Sequence, residues 1–327
     1  MKRIFYLAAL LWCQAVVAQV YKTNEPLAHT YSIVARDSVT GEMGVAVQSH
    51  WFSVGTVVSW AEAGIGAVAT QSFVNKSFGI RGLDLLRSGL TAQQAVDSLL
   101  ATDEAKEVRQ LAVVDNRGNV AVHTGKNCID FAGHLAGNQY SVQANMMLTN
   151  RVPQAMAKAF EQSAGKPLAE RLLLSLEAAQ AAGGDIRGQQ SAAILIVPAK
   201  SNQQPWNERS VDLRVDDHSQ PLKELRRLYR VHVAYEHMNN GDLAVEKADM
   251  AKAMQEYNAA MRLFPRNLEM QYWTAITLAN NNQVQKALPI LKKIYATDGN
   301  WRELTRRLPK ANLLTVDAAA LKTILAL

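Results

Sequence analysis

Cysteine is scarce: the chain of 327 residues carries two, Cys13 and Cys128. Cys13 falls in a segment that reads as removable, so no intramolecular disulfide is expected, although an oxidising compartment would permit one. Cys128 then reads as a small buried residue rather than a reactive thiol, since no His stands beside it in sequence. Charge is sparse as well. Only 20% of residues are charged and the net charge is +6, with no dense Lys/Arg block and no basic stripe interleaved with aromatics. Nucleic-acid binding therefore has no footprint. No HExxH pair occurs, and the seven His residues do not share a helix face, so no metal site is expected from them. Walker loops, GxGxxG and GxSxG are also missing, which removes the common nucleotide-binding and α/β-hydrolase readings and leaves no cofactor expected. No apolar run reaches the roughly 20 residues that a membrane-spanning helix needs. A hydrophobic content of 48% is that of a folded globular chain and excludes disorder or a rod.

The N-terminus has Lys2 and Arg3 ahead of an apolar run from Ile4 to Cys13, then small or aliphatic residues at Val16 and Ala18. This is the pattern of a secretory signal cleaved after Ala18, and the expected location is secreted or periplasmic. Bulky Trp12 before Cys13 argues against lipidation. Residues 19–28 read as a short mature leader.

Strand text follows. HTYSIVARD, the turn SVTG and EMGVAVQS make a hairpin pattern; QLAVVD–NRG–NVAVHT makes a second. TVVSW, GIGAVATQ, YSVQAN and SAAILIV read as further strands, and VDLRVDDH as an edge strand. Two helical zones lie between them. The first runs from about Gly79 to Leu100 and contains a capping-box pattern at Thr91-Ala92-Gln93-Gln94. The second covers about Pro153 to Ala182, with Leu168, Leu172 and Leu176 on one face until Gly183 and Gly184 stop it. Antiparallel hairpins covered by amphipathic helices predict an α+β layered domain. Asp212, Asp216, Asp217 and His218 have the ligand types for a divalent cation, but such a cluster after a strand is more often turn and N-cap chemistry, here before the helix that starts at Pro221. Beyond Gly241 no strand signal remains. Ala253, Tyr257 and Ala260 recur 34 residues later as Ala287, Leu291 and Ile294, the spacing of a tetratricopeptide-like helical repeat. Exposed sheet edges and short repeats both invite homo-oligomerisation.

Thr30 opens the first core strand. A hydroxyl residue there is what an N-terminal-nucleophile enzyme needs, because the freed α-amine, with a pKa of about 7.7–8.0, acts as base to its own side chain. This requires a cut after His29. The alternative is that Thr30 merely begins a strand. Ser32 is the other hydroxyl nearby and reads as structural.

HTYSIVARD, TGEMGVAVQS, WAEAGIGAVATQ, GLDLLRSGL, CIDFAGH, YSVQANMM, GGDIRGQQSAAILIV and VDLRVDDH, in that order, resemble the uncharacterised DUF1028 family over residues 29–240. The resemblance implies an N-terminal-nucleophile hydrolase-like fold, a four-layer αββα sandwich, and a hydroxyl nucleophile at Thr30 acting on a small amide or peptide-like substrate. Residues 241–327 resemble the tail often attached to that family, described as peptidoglycan-binding, so peptidoglycan or a protein partner is expected there. Two departures stand out: Gln48 occupies a position where an acid is expected, and no Lys follows in GIGAVATQ. The polar lining of a working site is expected from Ser49, Thr70, Gln71 and Asn75 near one sheet edge, joined by Asn145, Asp185 and Arg187. Gln71 and Asn145 are the amide donors suited to an oxyanion. Each has a structural reading too: strand-end hydroxyls cap, Asn75 turns, and Asp185 with Arg187 orders a loop. Trp51, Phe52 and Trp60 either line a pocket or fill the core. The competing function is a non-catalytic scaffold whose helical tail grips the cell wall or a partner protein.

Overall fold

The computed structural model describes residues 27–327. The expected signal segment with its cleavage after Ala18, Cys13, and leader residues 19–26 lie outside the described residues. In chain order the first part comprises β1 (Leu27–Ala28), β2 (Thr30–Arg36), β3 (Met43–Ser49), α1 (Gly55–Val58), β4 (Ser59–Glu62), β5 (Gly66–Phe73), α2 (Ser77–Arg87) and α3 (Ala92–Ala101). Then come β6 (Arg109–Asp115), β7 (Val120–Thr124), β8 (Gly133–Gly137), β9 (Tyr140–Ala144), α4 (Val152–Gln162), α5 (Leu168–Ala181), β10 (Ser191–Val197) and β11 (Val211–Val215). The remainder is helical: α6 (Pro221–Glu246), α7 (Met250–Leu263), α8 (Leu268–Asn280), α9 (Val284–Thr297), α10 (Asn300–Arg307) and α11 (Ala318–Leu325).

The strands form two antiparallel sheets. One has the order β1-β5-β6-β7, with β4 also paired to β5; the other runs β11-β10-β3-β2-β9-β8. Side-chain alternation along each strand sorts residues onto the two faces of its sheet. Val34, Val45, Val47, Ala67, Ala69, Ala112, Val114 and Ala193 form one apolar cluster between the sheets. On the opposite face of the first sheet, Val68, Leu111 and Val113 meet Phe78, Leu83, Ala95, Val96 and Leu99 of α2 and α3. Helices α4 and α5 lie on β2, β3, β8 and β9 of the second sheet, with Met156, Phe160, Leu172 and Leu176 fully buried. The fold is thus mixed α/β, with two antiparallel sheets followed by a helical region.

Turn chemistry explains the hairpins. Asp37 Oδ1 accepts from the N–H groups of Val39 and Thr40, both at 2.8 Å, and Gly41 supplies a φ of 74°, so the chain reverses between β2 and β3. Asp115 does the same between β6 and β7 through Arg117 and Asn119. The expected helical zones each divide in two. Gly89, at φ 96°, ends the first half of one zone. In the other, Gly165 and Pro167 separate α4 from α5, because proline cannot donate inside a helix. The capping box at Thr91 and Gln94 is formed.

TVVSW, expected as a strand, is instead the helical turn α1 leading into β4. The turn packs so near β10 that a Cβ on Gly55 would fall 2.4 Å from the Ala193 methyl, and glycine alone permits that approach. Strand β8 was not foreseen, because GHLAG lacks β-branched residues and its side chains are mostly exposed. VDLRVDDH does occupy a sheet edge as β11.

The chain divides into two compact units, the second being Lys223–Leu327. In that unit the residues that recur after 34 positions are buried in both copies: Ala253, Tyr257 and Ala260 in α7, Ala287, Leu291 and Ile294 in α9. Thr305 ties the end of this unit together, because the phenols of Tyr272 and Tyr295 both reach its hydroxyl, at 2.9 and 2.7 Å. Among the described residues, no helix is long and apolar enough to cross a membrane.

These contacts set the scale of two substitutions. Leu99, fully buried between α3 and the first sheet, should lose about 2–5 kcal/mol on change to Ala. Thr91→Ala, which removes only a cap, should lose about 1 kcal/mol. Urea midpoints of the two variants check the order; equal midpoints would contradict the packing described.

Candidate active site

The inter-sheet space changes character along its length. Past the Val and Ala cluster, the alternating positions that face the gap become Thr30 and Ser32 of β2, Ser49 of β3, Gln71 of β5, Gln110 of β6 and Gln143 of β9, all fully buried. Buried amides of this kind must find partners, and they find one another. Gln71 Nε2 donates to Gln110 Oε1 at 2.6 Å and Ser32 Oγ to Gln71 Oε1 at 2.6 Å. Gln143 Nε2 donates to Ser32 Oγ at 2.6 Å. Gln110 Nε2 donates to the carbonyl of Ala144 at 2.9 Å and to Thr124 Oγ1 at 2.9 Å. Two of these bonds, Ser32 to Gln71 and Gln110 to the Ala144 carbonyl, cross from one sheet to the other, so they also lock the two sheets in relative position.

This network ends on Thr30. The carbonyl oxygen of Thr30 accepts from the backbone N–H of Asn145 at 3.1 Å and from Gln71 Nε2 at 3.3 Å. Its hydroxyl donates to the carbonyl of Ala28 at 2.5 Å. Thr30 lies opposite Ser49 in the β2–β3 ladder, which brings the two hydroxyl residues to one place.

The peptide group before Thr30 is gripped more firmly still. The carbonyl oxygen of His29 accepts from Ser49 Oγ at 2.5 Å and from Arg187 Nη2 at 2.9 Å. Arg187 is held by Asp185 in a two-pronged ion pair, Nη2 to Oδ2 at 2.7 Å and Nε to Oδ1 at 3.1 Å. The buried Asp185 carboxylate also accepts from the N–H groups of His50 and Arg187, at 3.1 and 2.9 Å. A hydroxyl and a guanidinium on one carbonyl oxygen draw electron density from its carbon, as donors in an oxyanion hole do.

The His29 side chain has a seat of its own. Its Nδ1–H donates to Asn145 Oδ1 at 2.7 Å, and its ring meets Phe73 edge-on with centroids 5.6 Å apart. Nε2 is buried without a hydrogen-bond partner among the described residues. Burial pushes the imidazole pKa below its ordinary value; the Asn145 hydrogen bond opposes the shift and nearby Arg187 adds to it. The ring is therefore neutral near pH 7.

Three non-glycine residues at this end adopt positive φ. Ser53, Ser72 and Met146 have φ values of 55°, 70° and 59°, in the left-handed region that costs a non-glycine residue about 1 kcal/mol or more. Met146 directly follows Asn145, and its carbonyl receives the Ile186 N–H at 3.2 Å, which carries the 183–188 turn with Asp185 and Arg187 towards Thr30.

Of the residues expected from sequence, Thr30, Ser49, Gln71, Asn145, Asp185 and Arg187 converge here. Thr70 does not. It points to the opposite face of β5, where its hydroxyl donates to the Asn75 carbonyl at 3.3 Å, because adjacent strand residues face opposite ways. Asn75 is a turn residue: its Oδ1 accepts from Ser77 N–H at 3.1 Å and Ser77 Oγ at 2.8 Å at the start of α2. Gln48, on the helix side of β3, is fully buried with neither amide atom hydrogen-bonded among the described residues. Trp60 donates its indole N–H to the Val57 carbonyl and its ring covers Gly79, a packing role. Cys128 is buried, and that burial raises its thiol pKa, which keeps it protonated.

Gln110, Gln143 and His29 were missed by sequence reasoning. A signal did exist: VATQS, VRQLA and SVQAN each place one glutamine in a strand segment, and an amide buried there demands a hydrogen-bond partner.

Among solved structures, the chain is similar to protein SPO2555 from Silicibacter pomeroyi, described as belonging to DUF1028. The two are 32% identical, with a TM-score of 0.56, over 62% of this chain and 85% of that one. The ancestral beta-subunit Anbu from Yersinia bercovieri matches at 13% identity and a TM-score of 0.30, over 61% of this chain and 93% of that one. No curated protein matches. The family of unknown function DUF1028 matches residues 30–225, well over half of the chain, and the protein belongs to that family.

Proposed function

We propose that this protein is an exported hydrolase of the N-terminal-nucleophile type, in which Thr30 first cuts the chain before itself and then, as the new N-terminus, cleaves an amide bond in a substrate. On this reading the two facing sheets with helices on both outer faces are the αββα sandwich of such enzymes. One observation carries the proposal: the carbonyl of His29, the group a self-cutting Thr30 must attack, is held by two donors, Ser49 Oγ and Arg187 Nη2. A carbonyl that served only to start a strand would need no guanidinium. The family match beginning at Thr30 supports the same boundary.

The chemistry balances without an added reagent other than water. Thr30 Oγ1 bonds to the His29 carbonyl carbon while negative charge on the oxygen is stabilised by Ser49 and Arg187. The bond from that carbon to the Thr30 nitrogen then breaks, the hydroxyl proton ends on the nitrogen, and an ester joins His29 to Thr30. Water hydrolyses the ester, releasing His29 with a carboxylate and restoring the Thr30 hydroxyl beside a free α-amine. That amine replaces the Lys and acid missing from GIGAVATQ and VAVQS as the base for later turnovers. Gln71 and the Asn145 N–H hold the Thr30 carbonyl and so fix the nucleophile's backbone.

Purified protein should yield an intact mass and an N-terminal sequence beginning at Thr30. Thr30→Ala should stay uncut, and Ser49→Ala should slow the cut roughly 10²–10³-fold, the usual effect of removing one oxyanion donor. A folded, active protein that keeps His29 attached to Thr30 would refute the mechanism. Turnover by the mature protein should also fall as pH drops below about 7.7–8.0, because protonation of the α-amine removes the base. A flat profile from pH 6 to 9 would exclude that amine.

A second reading, a non-catalytic scaffold whose helical unit binds peptidoglycan or a partner, is favoured by the inter-sheet lining of Ser32, Gln71, Gln110 and Gln143, which are buried amides and hydroxyls without an ionisable group. Thr30→Ala separates the two, since a scaffold would be indifferent to it.

A further inference from the structure

The residues in front of Thr30 do more than await removal. Leu27 and Ala28 form β1, which adds an antiparallel strand to β5, Leu27 opposite Phe73 and Ala28 opposite Ser72. The outer edge of β5 is otherwise covered by β4 only from Gly66 to Ala69, so β1 occupies the remaining stretch. At His29 the chain leaves this edge and enters the second sheet as Thr30. Three features therefore meet within three residues: a paired backbone at Leu27–Ala28, a carbonyl held by Ser49 and Arg187, and a side chain seated on Phe73 and Asn145.

Resting on the reading of Thr30 as nucleophile, we infer that the leader occupies the substrate's own place, and that the mature enzyme takes extended peptides added as a strand to the Ser72–Phe73 edge of β5, with a histidine as the residue whose carbonyl is cut. Once the leader departs, that edge loses the strand that Leu27 and Ala28 supplied, while the Phe73 carbonyl keeps Arg109 Nη1 at 2.7 Å, and an incoming strand takes the vacated place. The substrate's scissile carbonyl takes the position of the His29 oxygen against Ser49 and Arg187. The preceding side chain takes the His29 seat, where Asn145 Oδ1 requires a hydrogen-bond donor and Phe73 requires a ring. Aliphatic side chains leave that buried oxygen without a donor, and carboxylates face it with a second acceptor. In the reaction Thr30 Oγ1 displaces the substrate's amine, which departs with the hydroxyl proton relayed by the Thr30 α-amine. Water then releases the peptide as an acid ending in histidine, whose carboxylate remains a ligand for Arg187.

The test uses the full self-cleaved chain, freed of its leader, and the peptide Pro-Leu-Ala-His linked as an amide to aminomethylcoumarin, matching residues 26–29. Counterparts end in Leu, Ala or Glu in place of His, and one further peptide carries N-methyl groups on Leu and Ala. The histidine peptide is expected to be cut with a kcat/KM about 10- to 100-fold above the Leu and Ala peptides, as losing the partner of a buried acceptor implies. The N-methylated peptide should fall at least as far, and free Pro-Leu-Ala-His should inhibit competitively. Equal rates for all four end residues, undiminished cutting of the N-methylated peptide, or no cutting of any peptide overturns this inference, while a chain that still begins at Thr30 leaves the proposed function standing. A chain that never cuts before Thr30 overturns both.

Discussion

A chain of buried amides carries the architecture of the first unit. Apolar side chains hold the two sheets together over most of their contact, and dispersion and burial are indifferent to small slips. Gln71, Gln110, Gln143 and Asn145 are not indifferent. Each donor and acceptor buried in the gap must meet its partner within about 3 Å or lose the full free energy of its dehydration. The bonds from Ser32 Oγ to Gln71 Oε1 and from Asn145 Nδ2 to Gln110 Oε1, at 2.6 and 2.8 Å, therefore define the offset between strands of different sheets. Thr30 inherits its position from that offset, since its carbonyl is bound by two of the same residues.

Electrostatically the candidate site is nearly silent, and its one strong feature is directed. The Asp185–Arg187 pair is neutral as a unit, so it exerts little long-range attraction on charged molecules. At short range it presents one N–H of the guanidinium to a carbonyl oxygen while the carboxylate orients the rest of the fork. Asp185 is itself buried and saturated by backbone N–H groups, which keeps the guanidinium from swinging away. Positive φ at Ser72 and Met146 supplies the same rigidity from the backbone side. A carbonyl polarised this way suits attack by a hydroxyl, which lacks the nucleophilicity of a thiolate and depends on an activated electrophile.

Much of this was legible in the linear text. Short apolar-rich runs and the turns between them disclosed β2, β3, β5, β6, β7, β9 and β10, and the Thr91 capping box and the buried repeat positions of α7 and α9 followed from spacing alone. The polar residues near Thr30 were partly readable from motif resemblance. TVVSW misled because β-branched residues favour a strand locally, whereas close packing of Gly55 on Ala193 demands a turn. Thr70 misled for a simpler reason: it neighbours Gln71 in sequence and points the other way in space.

Local sequence by itself determined most of the segments that extend or coil, with α1 and β8 the exceptions, because hydrophobic period, capping groups and turn residues act over a few positions. It also determined that Thr30 opens a strand. Only the tertiary structure decided that Gln110 and Gln143 share a hydrogen-bond network with Gln71, and that Ser49 and Arg187 close on the carbonyl of His29. Those contacts join residues 20 and 158 positions from His29, and no local rule reports which distant donor reaches a given oxygen. Sheet stacking settles it, through the requirement that every buried polar atom find its complement.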